Sequence, residues 1–434
     1  MKKLRLNKRN AGILAAAFAV LLLLILLPGK RHDGGKSPSP GRVKGINREL
    51  TNEMSTFPEL EGLDKAMQRF MQRWYIQGMQ LSVMRNDSLL YSKGYGWADK
   101  GKDLPMGPGN ILRVASVSKL ITAAGIMKLC EQGRLSLGDK VFGATGILND
   151  EVFTQAIKDK NYFKITVEDL LRHEAGLSAR RGDPLFTTRD LMHIYHLKEA
   201  PDSRKLVEIA VQRRLAYVPS TSHEYSNLGY LLLSMIIEKA GGKAYEEWMQ
   251  ENVLKPSGCD DMHIAYNYYK ERYPNESRYH MQDNDPKVPE YNNSGDSVAR
   301  CYGGNNIRGL YGAGAWVASS AELARFVASI DGKSGVPDIL SKRSVHRMTE
   351  HSDAHKFSLG WNSTDPDQGW IRTGSLSGTN ALIHYFPDGE CWILITNTHA
   401  WKGPKFARYL QQLVRECRTG WSAKLPRQNL FETK

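Results

Sequence analysis

From Leu60 onward the apolar positions Leu63, Met67, Phe70, Met71 and Trp74 return at steps of three and four, the spacing of one helix face. Two β-type runs follow, 80–84 and 89–95, and the Asn86-Asp87 pair between them predicts a hairpin. A second helix is predicted from about residue 116 to 132, where Val117, Leu120, Ile121, Ala124 and Met127 keep one face apolar until Gly133 ends it. Shorter helical patterns occupy 167–173, 204–213, 228–239 and 321–330. After Gln368 the period changes again. Residues 370–373, 381–386 and 392–397 read as strands, with Pro387-Asp388-Gly389 turning the chain between the last two, and 406–417 closes as a helix. With strands near both termini and helices between them, one sheet has to be assembled from both ends of the chain. No internal repeat is visible.

Ahead of this body, residues 11–27 (AGILAAAFAVLLLLILL) are uninterrupted in their apolarity and flanked by basic residues. As a helix the run would rise about 25 Å, close to the roughly 30 Å hydrocarbon core of a bilayer. A cleaved signal peptide shares the basic start and apolar middle, but no A-x-A site follows Leu27 and no Cys stands just beyond it. The expectation is an uncleaved signal anchor over 1–30, its basic end kept in the cytoplasm and the rest of the chain on the extracytoplasmic side of the cell membrane. Gly, Ser, Pro and Lys dominate the next stretch, so 31–55 is expected to be a flexible linker, 56–421 the folded domain and 422–434 a tail.

Charge then loses its apparent meaning. The chain has a net charge of +13, but residues 1–48 hold eleven Lys/Arg against one acid, Asp33, leaving the remainder at only +3. A nearly balanced body without a basic, aromatic-interleaved stripe gives no reason to expect nucleic acid as a partner. Five scattered cysteines form no C-x-x-C and no disulfide framework, and read mainly as small buried hydrophobes. No metal cluster stands out among the twelve histidines, and neither a phosphate-binding nor a dinucleotide motif is present, so no metal and no cofactor are expected.

The chemistry concentrates in Ser116-Val117-Ser118-Lys119, the one S-x-x-K of the chain. On a helix, residues three apart share a face, so hydroxyl and amine can touch. An alcohol is a weak nucleophile until a base takes its proton, and a lysine can act as that base only if burial and neighbouring positive charge lower its pKa. Residues 112–141 (LRVASVSKLITAAGIMKLCEQGRLSLGDKV) closely resemble the nucleophile helix of the serine β-lactamase-related and penicillin-binding protein family, the group of class C β-lactamase-like serine hydrolases. Two further motifs follow in that family's order. Tyr225-Ser226-Asn227 resembles its Y-x-N element; Tyr273-Pro274-Asn275 and Tyr291-Asn292-Asn293 match the letters but precede no long apolar helix. Arg372-Thr373-Gly374 stands where the family usually has Lys or His, a variable residue and Gly, while Arg418-Thr419-Gly420 reads as the capped end of the last helix. Residues 170–177 and 312–326 resemble scaffold segments, and His173 reads as structural.

The resemblance implies an α+β fold, an antiparallel sheet flanked by helices with an all-helical subdomain, and the site between the two. It implies Ser116, Lys119 and Tyr225 as catalytic residues, and Asn227, Arg372, Thr373, Gly374 and Ser375 as substrate-binding ones. The backbone N–H groups of Ser116 and Ser375 would then form the oxyanion hole. Arg372 keeps a positive charge but cannot exchange a proton near neutral pH, which suits a substrate carboxylate. The function implied is acyl-enzyme hydrolysis of an amide, peptide or ester, with a β-lactam or a small-molecule or peptide substrate such as a peptidoglycan stem peptide. The alternatives are an esterase or D-aminopeptidase on another small substrate, or a penicillin-binding-type module without turnover.

Overall fold

Glu390–Thr396 (ECWILIT) is buried along its whole length, as expected of a strand covered on both faces. The structure, a computed structural model describing residues 44–180 and 182–432, places this strand in the middle of a seven-stranded sheet. In chain order the strands are β1 (Gly78–Arg85), β2 (Ser88–Asp99), β3 (Leu104–Pro105), β4 (Ser363–Asp365), β5 (Gly369–Leu376), β6 (Thr379–Tyr385) and β7 (Glu390–Thr396). They lie in the order β3-β2-β1-β7-β6-β5-β4, with every pair antiparallel. The β1–β7 pair, from Met79↔Thr396 to Arg85↔Glu390, joins the two ends of the chain. At the β1–β2 turn Asn86 and Asp87 take φ of 47° and 63°, the doubly left-handed geometry of a tight hairpin.

Five helices frame the sheet: α1 (Glu61–Trp74), α2 (Ser118–Glu131), α3 (Asn227–Gly241), α4 (Ser320–Ala328) and α5 (Ala407–Trp421). Strand side chains alternate between two cores. Leu81, Val83, Leu382, Trp392 and Leu394 pack with α1 and α5, while Ile383, Ile393 and Ile395 belong to the larger core that contains α2, α3 and α4. Helix α2 is buried on every side, Ser118 and Lys119 included, so it can carry a polar group into the interior of the protein.

Several boundaries differ from the sequence expectation. The nucleophile segment is not one helix: Ala115–Val117 is a 3₁₀ turn and α2 begins at Ser118, because Ala115 at φ 50° bends the chain before the helix can start. Helix α5 continues through Gly420 to Trp421, whose indole packs against Gly62; a Cβ on Gly62 would lie 2.8 Å from the ring nitrogen.

The folded body is also longer than 56–421. Residues assigned to the linker form the turns Ile46–Glu49 and Asn52–Ser55. Leu50 is buried there, and buried Asn47 donates from Nδ2 to Asp261 Oδ2 (3.1 Å) and Glu322 Oε2 (2.9 Å). In the tail, Leu425 and Leu430 are buried, and Gln428 Nε2 donates to the Leu90 carbonyl at 2.8 Å. Each segment has too few apolar anchors to show a period, yet enough to dock. The expected anchor and the linker up to residue 43 lie outside the described residues; among the described residues no helix is long and apolar enough to cross a membrane. All five cysteines lie among the described residues, and there none is paired with another.

Candidate active site

Ser116 occupies the centre of the Ala115–Val117 turn, and Lys119 follows in the first turn of α2. Lys119 is fully buried. Its Nζ donates to Ser116 Oγ at 3.2 Å, Asn227 Oδ1 at 2.7 Å and the Ala313 carbonyl at 2.6 Å. The third acceptor is available because residue 312 is glycine: a Cβ there would come within 2.4 Å of Thr122 Oγ1 on α2. Burial pushes the Lys119 amine down to about 8, Arg372 adds to the effect, and Tyr225 and Asp183 oppose it. A useful fraction is therefore neutral in mildly alkaline solution.

Tyr225 lies over the same amine, with Lys119 Nζ 4.8 Å from its ring centre. Burial alone would raise its phenol, but Lys119 and Arg372 outweigh burial and bring it down to about 8. His173 backs the ring, with centroids 4.4 Å apart, and its Nδ1 accepts the Ser226 N–H at 3.1 Å. Burial, then Lys119 and Arg372, push this imidazole well below its ordinary range. It stays neutral and positions the Tyr225 loop, which agrees with its structural reading.

The structure corrects the role expected of Arg372. This side chain is fully buried and turned behind the nucleophile. Its Nε and Nη2 donate to the main-chain carbonyl of Ser116 at 2.8 and 2.5 Å, and Nη2 also to Tyr225 Oη at 3.3 Å. It is not among the residues lining the cavity in front of Ser116. Strand alternation puts 372 and 374 on the face of β5 against the Ser116 turn, and the hydrogen bonds to the Ser116 carbonyl hold the Arg372 side chain beneath that turn. A Cβ on Gly374 would lie 2.2 Å from the Val114 carbonyl and 3.0 Å from Ser116 N, so only glycine lets β5 pass this close. Arg372 thus acts as a fixed positive charge beneath the site.

The remaining expected residues converge. Ser116, Tyr225, Asn227, Thr373, Gly374 and Ser375 all line one cavity of about 650 Å³, within the usual range for small-molecule sites. Two residues escaped the sequence reading. Asp183 accepts a hydrogen bond from Asn227 Nδ2 at 2.7 Å, which fixes the amide so that its oxygen faces Lys119. Asn362 Oδ1 accepts from the Thr373 N–H (2.8 Å) and hydroxyl (3.1 Å), holding the strand edge at the cavity wall. Neither belongs to a motif; a polar residue in an aperiodic loop gives no signal until the fold brings it to its partner.

Known proteins resemble this chain in sequence and in fold. PbpX of Bacillus subtilis (strain 168), named as a penicillin-binding protein, is 24% identical over 407 residues, covering 91% of each chain. Protein flp of Staphylococcus aureus (strain N315) is 26% identical over 250 residues, 56% of this chain, which spans just under half (45%) of that protein. Among solved structures, the D-amino acid amidase of Ochrobactrum anthropi SV3 superposes with a TM-score of 0.64 at 19% identity, covering 85% of this chain and all of that one. Residues 63–416 match the family described as Beta-lactamase, and with a serine and a buried lysine in contact at the cavity floor, the chain belongs to that family of acyl-transferring serine hydrolases.

Proposed function

We propose that this protein hydrolyses an amide bond in a short peptide of the cell-wall type through an acyl-enzyme on Ser116. The observation that carries the reading is the 3.2 Å contact between Lys119 Nζ and Ser116 Oγ, made by an amine that burial holds down at about 8. Neutral Lys119 takes the hydroxyl proton as Oγ attacks the carbonyl carbon. The oxyanion that forms is held by the N–H groups of Ser116 and Ser375, beside the fixed charge of Arg372. The C–N bond then breaks, and the amine leaves with a proton passed through Lys119 and Tyr225. Water, deprotonated by the same pair, attacks the acyl carbon, and Ser116 recovers its proton as the acid departs.

Support for the substrate class comes from two directions: one relative is named as a penicillin-binding protein, and a protein of the same fold is titled a D-amino acid amidase. The apolar run at 11–27 and its basic flank favour a membrane tether with the domain on the extracytoplasmic side, where wall peptides are found. The test is a screen of D-amino-acid p-nitroanilides, D-Ala-D-Ala peptides, p-nitrophenyl esters and nitrocefin against the native protein and Ser116→Ala. Turnover of the D-amino-acid amides that disappears in Ser116→Ala is the expected result. Ester turnover alone would replace the peptidase reading with an esterase, and a stable adduct without turnover would replace it with a binding module.

A further inference from the structure

A second compartment, about 250 Å³, adjoins the Ser116 cavity. Phe186, Arg300 and Asn305 line both, so the two spaces meet at these three side chains. Beyond them the smaller compartment carries Arg189 and Asp190 and is walled by Pro289 and Tyr291. Its charged groups are thus two guanidinium ions against one carboxylate.

Arg300 is the group at the junction, and its chain is held firmly. The next carbonyl, of Cys301, accepts from Nη1 of fully buried Arg113 at 2.7 Å. The N–H of Tyr302 closes a turn onto the Ala299 carbonyl at 2.8 Å, and Gly304 folds so tightly over this turn that a Cβ would lie 2.6 Å from the Arg300 carbonyl. The side chain itself is exposed. Among the described residues it makes no hydrogen bond and no ion pair. Its charge nonetheless reaches the main cavity: His399, which lines that cavity, is held below the ordinary imidazole range by burial first and by Arg300 in addition, against the opposing pull of Asp285. A fixed backbone presenting an unpartnered fork of donors between two connected spaces is suited to a carboxylate, which a guanidinium can bind through two parallel hydrogen bonds. Arg372 cannot do this, being buried on the far side of the nucleophile.

We propose that Arg300 and the compartment behind it bind an acidic arm of the substrate, a free carboxylate on the peptide flanking the scissile bond. The inference rests on the Ser116 cavity being a substrate site, and deepens that reading by naming the charge its ligand carries. Binding, not turnover, tests it. An acyl-D-alanine anilide scaffold is prepared as two matched pairs, glutaryl against glutaramyl on the acyl side and 4-carboxyanilide against 4-carbamoylanilide on the leaving side. Affinities are measured by calorimetry on Ser116→Ala, in which no substrate is consumed. One acid should bind about tenfold tighter than its amide, as for a charge-assisted pair, and Arg300→Gln in the same background should bring that ratio to near one. Near-ultraviolet circular dichroism matching the parent verifies that the variant is folded. Equal binding of acid and amide in both pairs overturns the proposal, and so does a ratio unchanged by Arg300→Gln. Loss of the hydrolase reading shows separately, as absence of Ser116-dependent turnover in the native protein.

Discussion

At the residue scale, function depends on how charges around Lys119 balance. Lys119 must be neutral to accept the Ser116 proton, so kcat/KM should be low in acid and rise as pH climbs through about 8, the value to which burial and Arg372 bring the amine. Two neighbours should move that midpoint in opposite directions. Arg372 holds both Lys119 and Tyr225 down; Arg372→Gln removes the repulsion, and the midpoint should move to higher pH. Asp183 holds Lys119 up; Asp183→Asn keeps an acceptor for Asn227 but loses the charge, and the midpoint should move lower. Profiles of kcat/KM for both variants check the pair of signs, and identical midpoints would show that neither charge reaches the base. These residues were unequally legible in the sequence. Ser116 and Lys119 are three apart on one chain, so local spacing alone puts them together. The Arg372 motif was visible but its direction was not, since the face it occupies is set by the pairing of β5 with β6, not by its neighbours in sequence. Asp183 lies 44 residues from Asn227 in a loop without periodicity, and only the folded chain relates the two.

At the scale of elements, the site is a seam between a strand and a turn. Strand β5 runs so close to the Ala115–Val117 turn that Gly374 has no room for a methyl group. Gly374→Ala should force the strand and the nucleophile apart, and because a displacement near 1 Å at a reacting centre can cost on the order of 10²-fold, kcat should fall by about that factor while the fold persists. Stopped-flow acylation compared with thermal unfolding separates the two effects; acylation at the native rate would remove the close approach from the mechanism. The strands were legible because β6 and β7 each carry an apolar run, Ala381 to Ile383 and Cys391 to Ile395, and the hairpin because of Asn86-Asp87. Less visible was the start of α2, where Ser116 and Val117 form a 3₁₀ turn after the left-handed Ala115 although the pattern reads as helix from residue 116. A single φ leaves no trace in hydrophobic spacing.

At the scale of the whole molecule, both termini of the described chain fasten onto the sheet and the helices beside it. Asn47 donates to two buried carboxylates, Asp261 and Glu322, and burial, followed by the Asp261 charge, pushes the Glu322 carboxyl up to about 8. Asn47→Ala leaves Glu322 Oε2 without a donor, while Asp261 Oδ2 keeps the Asn275 amide at 2.8 Å, and should lower unfolding free energy by about 1–3 kcal/mol, read from urea denaturation of the protein. An unchanged midpoint would mean that the segment before residue 56 is not part of the cooperative unit. Composition concealed this docking, because one asparagine and one leucine in a polar stretch look like linker. The architecture was otherwise readable from the order of elements, since strands at both ends with helices between leave few ways to close a sheet.

The most direct measurement is the rate at which a fluorophosphonate modifies the protein, followed by intact mass and peptide mapping across pH, for the native chain and for Lys119→Met. Expected are a single adduct on Ser116, a rate rising with a midpoint near 8, and a loss of about 10²–10⁴-fold in the variant, the usual contribution of a general base. Modification at another residue, or a Lys119→Met protein that reacts as fast as the native one, would contradict the assignment of Ser116 as a nucleophile activated by its buried lysine.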